Sequence, residues 1–138
     1  MLIRNILYIV GALLFLTVPS KSQDLDSLRA ERDTTLISGK QIELQLEIAY
    51  AISTTDIREA LVCAKRALNE AEEIASVRWS AEAKLAIGRF YDFLGVNEEA
   101  AAYLVESYTS FVELGDSLKQ AATLTHIGNT YFYLNQFD

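Results

Sequence analysis

Two adjacent carboxylate pairs, Glu72-Glu73 and Glu98-Glu99, are the first residues of this chain whose types suggest acid–base work. General acid–base catalysis needs its groups aimed at one reacting atom. Neighbours on a helix point about 100° apart, so neither pair converges, and both read as solvated charge. His126 is the one histidine and Cys63 the one cysteine. Neither has a partner at metal-ligand or nucleophile–base spacing. His126 reads as a packing or surface residue and Cys63, within Ala60-Leu61-Val62-Cys63-Ala64, as a small apolar filler. No Gly-rich phosphate loop, HExxH, GxSxG or CxxC is present. The expectation is no catalytic residue, no metal and no cofactor.

The totals narrow the remaining classes. A chain of 138 residues has room for one domain and a modest core. Its formal charge is −7, with 12 Lys and Arg that form no run. That is a poor electrostatic footprint for nucleic acid, and no DNA or RNA contact is expected. A single cysteine excludes an internal disulfide framework.

The elements that would position any site are helices. One Pro and six Gly leave few breakers. Asp24 can cap a short, mostly polar opening helix through Arg32, and residues 33–39 (DTTLISG) form a break. Ser38 and Gln41 have the form of a capping box. Ile42, Leu44, Leu46, Ile48, Ala49 and Ile52 mark the next helix, ended by Ser53-Thr54-Thr55-Asp56. Asp56 and Ser76 are cap candidates for the two helices that follow. Gly95 suits the left-handed position of a turn, with Asn97 as the next cap, and Gly115-Asp116 repeats the stop and restart. No segment has the alternation of a strand. The fold class expected is all-α: stacked antiparallel helical hairpins joined by short turns.

The first twenty-two residues differ in kind. Arg4 supplies a positive start, residues 6–18 (ILYIVGALLFLTV) are an apolar run of thirteen, and Pro19 ends it. Ser20 and Ser22 offer small residues for cleavage before Gln23. This order is that of a secretory signal peptide. A bilayer span takes about 20 apolar residues, more than the run provides. The array is therefore expected to be exported, on the periplasmic or extracytoplasmic side. Membrane contact would come only through this leader or through a further helix downstream.

A repeat organises the rest. Ala86-Ile87-Gly88-Arg89-Phe90-Tyr91 returns forty residues later as His126-Ile127-Gly128-Asn129-Thr130-Tyr131, and Glu98-Glu99-Ala100 echoes Arg58-Glu59-Ala60. Self-similarity at such a period means stacked units, none able to bury its apolar face alone. Gly88 with Tyr91 three residues on, a Leu-Gly turn, and Ala100 twelve residues after Gly88 together resemble the tetratricopeptide repeat (TPR). Residues 39–138 carry the resemblance, as about two and a half units of about 40 residues, longer than the family's usual 34 or so. Small residues such as Gly88 and Ala100 stand where the helices of a hairpin meet most closely, and Tyr91 fills the gap toward the neighbouring unit. Gly128 and Tyr131 repeat these roles. The first unit is degenerate, with Ala49 for Gly, Ile52 for Tyr and one residue dropped, but Ala60, Ala64 and Ala67 fit.

The resemblance implies a function of contact. In such repeats ligands lie along the concave wall of the first helices. Carried over by position, the groove residues are Glu82, Leu85, Arg89, Asp92 and Phe93 in the second unit, and Asn129, Phe132 and Tyr133 in the third. Arg89 and Asn129 would hydrogen-bond a peptide backbone or carboxylate, and Phe93 and Tyr133 would stack on it. The partner expected is a protein or peptide, with self-association a further expectation. Long repeats behind a signal peptide also resemble the exported sensory regions of bacterial signalling proteins. There a similar array precedes a membrane helix and a histidine kinase or helix-turn-helix output domain. The third unit shows its first helix without its second, so the chain is expected to be the N-terminal piece of a longer protein, with its last helix fraying or self-associating in isolation.

Overall fold

The computed structural model describes residues 25–29 and 38–135. The leader over residues 1–22, the Asp24 cap and most of the 33–39 break lie outside those residues, as do Phe137 and Asp138. A helical turn at 25–29 is followed by five helices: α1 Gly39–Ile52, α2 Ile57–Glu73, α3 Val77–Phe93, α4 Asn97–Glu113 and α5 Ser117–Leu134. Each helix packs mainly on the next in sequence, with lighter contacts between α1 and α3 and between α3 and α5. The result is an all-α stack of antiparallel hairpins in which α1, α3 and α5 line one wall. No described helix is long and apolar enough to cross a membrane.

The repeat is visible in burial. Ala60, Ala64, Ala67 and Ala71 of α2 are fully buried, and so, forty residues on, are Ala100, Leu104, Ser107 and Phe111 of α4. Their spacing of four, three and four makes a single stripe. The first helices keep a different offset. Ile42, Leu44, Leu46, Ile48 and Ala49 are buried in α1, and each has a buried counterpart 39 residues later in α3. The first unit has therefore lost one residue between its two helices, as its sequence implies, and Ala49 takes the place of Gly88.

Size is traded between partners. The all-alanine stripe of α2 meets Ile42, Leu46 and Ile52 of α1 and Ile87 and Phe90 of α3 in one apolar cluster. The larger stripe of α4 meets small residues instead. A Cβ added to Gly88 would lie 2.7 Å from Leu104 Cγ and 3.2 Å from the Ala100 carbonyl oxygen, so glycine is what admits α4. Ala81 is fully buried there, and its carbonyl accepts a 2.8 Å hydrogen bond from the buried Ser107 hydroxyl. That bond satisfies a polar group that would otherwise be costly inside a core.

Three of the four turns share one chemistry. After α2, α3 and α4 the chain makes paired backbone bonds, such as Val96 N to Tyr91 O and Gly95 N to Asp92 O, around one left-handed residue. That residue is Gly95 (φ 72°) and Gly115 (φ 67°), but in the second turn it is Ala75 (φ 53°). The first turn has no such residue. There Thr55 and Asp56 both donate their N–H to the Ile52 carbonyl, at 2.9 and 2.8 Å, and Ser53 Oγ donates to the Tyr50 carbonyl. Asp56, Ser76 and Asp116 cap α2, α3 and α5 with side-chain acceptors. The Asp116 carboxyl is held below its ordinary range, first by the Lys119 backbone N–H and then by the Arg78 guanidinium 3.2 Å away.

Two expected caps do not form. Ser38 precedes α1 but makes no side-chain cap bond, and Gln41 Oε1 is buried without a partner, so the capping box is not closed. Gln41 has turned inward rather than back toward Ser38. Asn97 lies inside α4, and the residue before the helix is Val96, which has no side chain able to accept. Here the left-handed Gly95 turn sets the helix start, which moves the cap position one residue upstream of the polar side chain.

Candidate groove on the α1, α3 and α5 wall

Side chains of α3 dominate the wall because α3 touches helices on both sides. Arg89 is central. Its guanidinium carbon lies 5.1 Å from the ring centroid of Tyr50 on α1, a cation–π distance. Burial raises the Tyr50 phenol above its ordinary range, and the Arg89 guanidinium beside it opposes that shift. Arg89 Nε is buried and has no hydrogen-bond partner among the described residues. A buried N–H on a cation without a partner is costly, so Arg89 is positioned rather than satisfied.

Two open cavities flank the exposed ring of Phe93, which is 69% accessible at the end of α3. One, of about 430 Å³, is lined by Ser53 and Thr54 of the first turn with Ile57, Arg89 and Phe93. The other, of about 510 Å³, is lined by Asp92, Phe93, Gly95, Asn97 and Tyr133. The first offers a cation, hydroxyl-bearing residues and an apolar floor. The second offers a carboxylate and two aromatic rings.

The structure separates the groove residues named from sequence into groups. Arg89 and Phe93 meet at the first cavity; Asp92, Phe93 and Tyr133 meet at the second. Phe132 is exposed, with its ring edge-on to Tyr133 at 5.7 Å. Glu82 and Asp92 also tie the wall together. Lys119 Nζ lies 2.7 Å from Glu82 Oε2, and the Thr130 hydroxyl lies 3.0 Å from Asp92 Oδ1. Leu85 is buried with Leu104 and Phe111 and lines neither cavity. Asn129 is exposed and likewise lines neither.

The packing residues divide in the same way. Ala60, Gly88 and Ala100 are buried at close helix approaches. Tyr91 is half-buried between units, accepting a 2.8 Å hydrogen bond from Lys65 Nζ on α2 and stacking on Tyr103 of α4 at 5.8 Å. Gly128 has open space where a Cβ would stand, and Tyr131 is exposed, because no described helix covers that side of α5.

Sequence reasoning missed Tyr50, Ser53, Thr54, Ile57, Lys119 and His126 as wall residues. Tyr50 follows Ala49, the disguised equivalent of Gly88, so the 39-residue offset was the signal that could have found it. His126 is half-buried and titrates below the ordinary histidine range, chiefly through burial and then through the Arg89 charge, with Asp92 opposing. Among the described residues no cluster of His, Cys, Asp or Glu could hold a metal.

These features define the class: an all-helical, hairpin-stacked solenoid of TPR-like architecture. Scans against protein-family models, curated proteins and solved structures return no match.

Proposed function

We propose that this chain is a binding module whose α1, α3 and α5 wall holds an extended segment of a protein or peptide. The observation that carries this reading is Arg89, set over Tyr50 with an unpartnered Nε, beside exposed Phe93 and the Ser53–Thr54 turn. A ligand carboxylate or backbone carbonyl would meet the cation, and an apolar side chain would lie against Phe93 and Ile57. The module works by contact, without catalysis or cofactor. Selection from a displayed library of random peptides tests it. Enriched peptides are expected to lose at least about tenfold in affinity with Arg89→Ala or Phe93→Ala, roughly the worth of one charge-assisted bond or one ring contact. Asn129→Ala is expected to change little, and helicity to stay constant. Capture indifferent to Arg89 and Phe93 would remove the groove from the reading.

A repeat of the tetratricopeptide family, exported and serving as the sensory or scaffold region of a larger protein, is the finer proposal. It rests on the Gly88-to-Tyr91 pattern and its forty-residue echo, together with the apolar leader. Within it, the chain would be the input of a signal-transduction protein whose kinase or DNA-binding output follows. Intact mass of the exported product checks the placement: a chain starting at Gln23 is expected, and retention of Met1 in the cytosol would contradict it.

A further inference from the structure

The two cavities on the wall are one cleft repeated. Phe93 in the first becomes Tyr133 in the second, and Ile57 becomes Asn97, each at the forty-residue step. Each cleft lies between the turn that follows one first helix and the end of the next first helix. Phe93 belongs to both, so the clefts stand side by side along the wall with its ring between them. This position is open even inside the array. Phe93 is 69% accessible with α5 in place beside α3, and Tyr133, its equivalent, is 49% accessible.

The repeated shape carries opposite charge. Arg89 is the charged residue lining the first cleft, and Asp92 is the charged residue lining the second. They stand three residues apart on α3, a spacing at which opposite charges can pair. Instead they turn to opposite neighbours. Arg89 lies over the Tyr50 ring of α1, whereas Asp92 Oδ1 accepts the Thr130 hydroxyl of α5 at 3.0 Å. Glu82, two turns before Arg89 on α3, is engaged by Lys119 at 2.7 Å. His126 of α5 feels both charges and titrates below the ordinary histidine range, first through burial and then through Arg89. Near neutral pH it is therefore uncharged and does not neutralise Asp92. The first cleft sets a cation with an unpartnered Nε beside Ile57 and the Ser53–Thr54 turn, a set suited to a carboxylate. The second sets a carboxylate with the rings of Phe93 and Tyr133, a set suited to an ammonium or guanidinium.

We propose, resting on the reading of this wall as a peptide groove, that its ligand is a dipolar segment of a protein. A Glu or Asp side chain enters the first cleft and a Lys or Arg side chain enters the second, with the backbone crossing Phe93. Same-face side chains of an extended chain recur about every 7 Å, so the two charges fall two or four residues apart. A segment of uniform charge meets a like charge at one of the two clefts and is disfavoured.

A displayed library of random peptides, selected on the full chain and on its Asp92→Asn and Arg89→Gln variants, tests the pairing of charges. Asparagine keeps an acceptor for the Thr130 hydroxyl, and helical circular dichroism checks that each variant is folded. On the unaltered chain, enriched peptides are expected to carry an acidic and a basic residue at that spacing. Asp92→Asn is expected to abolish the demand for the basic residue and keep that for the acidic one, and Arg89→Gln to do the reverse. Asp92→Lys is expected to enrich peptides with two acidic residues. One enriched peptide, resynthesised with its basic residue changed to Gln, is expected to bind the unaltered chain about fivefold more weakly. On Asp92→Asn the two forms of that peptide are expected to bind alike, the sign of a direct coupling. Capture that needs Arg89 and Phe93 but ignores Asp92, or that enriches peptides with no basic residue, would overturn the dipolar ligand and leave the groove standing. No enrichment at all, or capture indifferent to Arg89 and Phe93, would overturn both.

Discussion

Helices α3 and α5 are the same element one repeat apart, and they live in different surroundings. Both begin after a side-chain cap, Ser76 or Asp116, and both carry Ile-Gly at the same point. Helix α3 is held between α2 and α4, and buries Ala81, Leu85, Ile87, Gly88 and Phe90. Helix α5 is held on one side: its Ile127 still packs on the cluster of Ala81, Leu85, Leu104 and Phe111, whereas Gly128 and Tyr131 keep their identities without the cover that Gly88 and Tyr91 have. The lesson is that a repeat position states what a residue is shaped for, while its neighbours decide what it contributes. Gly88 costs helix propensity and is repaid by the approach of α4; Gly128 bears the same cost with nothing described against it.

One substitution made at both glycines tests that contrast most sharply. Gly88→Ala puts a Cβ against Leu104 and the Ala100 carbonyl, and is expected to destabilise the fold by about 1–3 kcal/mol. Gly128→Ala meets open space and should stabilise by roughly 0.5–1 kcal/mol, the helix-interior preference for alanine. Urea titrations of the two variants read both signs directly. Destabilisation by both would mean that Gly128 is covered in solution and would break the contrast.

A smaller effect compares the turns after α2 and α4. They have the same backbone bonds, but Ala75 occupies the left-handed position that Gly115 fills one repeat later. A left-handed alanine costs roughly 1–2 kcal/mol relative to its preferred conformation. Ala75→Gly is expected to recover about 1 kcal/mol, less some unfolded-state entropy. Thermal melts showing no gain would mean that contacts of the Ala75 methyl offset the strain.

Much of the fold was legible in the chain. The Ala60, Ala64, Ala67 and Ala71 stripe, the caps at Asp56 and Ser76 and the Gly95 turn are local signals, and each falls where its chemistry places it. The failures were local too. Ser38 with Gln41 satisfies the pattern of a capping box, but packing drew Gln41 inward; Asn97 has the side chain of a cap, but the Gly95 turn starts the helix at Asn97 itself. The structure brings together only some of the groove residues named from the sequence. Arg89 and Phe93 are positions that the resemblance carries over, whereas Tyr50, whose ring lies against Arg89, stands in the one unit whose register has slipped.

By itself the sequence determined the helices, their order and their period, because apolar spacing, caps and left-handed glycines act within a few residues. Only the tertiary structure decided which members of a repeated set are occupied. Arg89 is held by a ring on α1 and Leu85 is withdrawn into the core, while Gly88 is filled and Gly128 left open. Those outcomes depend on which helix lies across the gap, and a contact between two helices is written in neither of them alone.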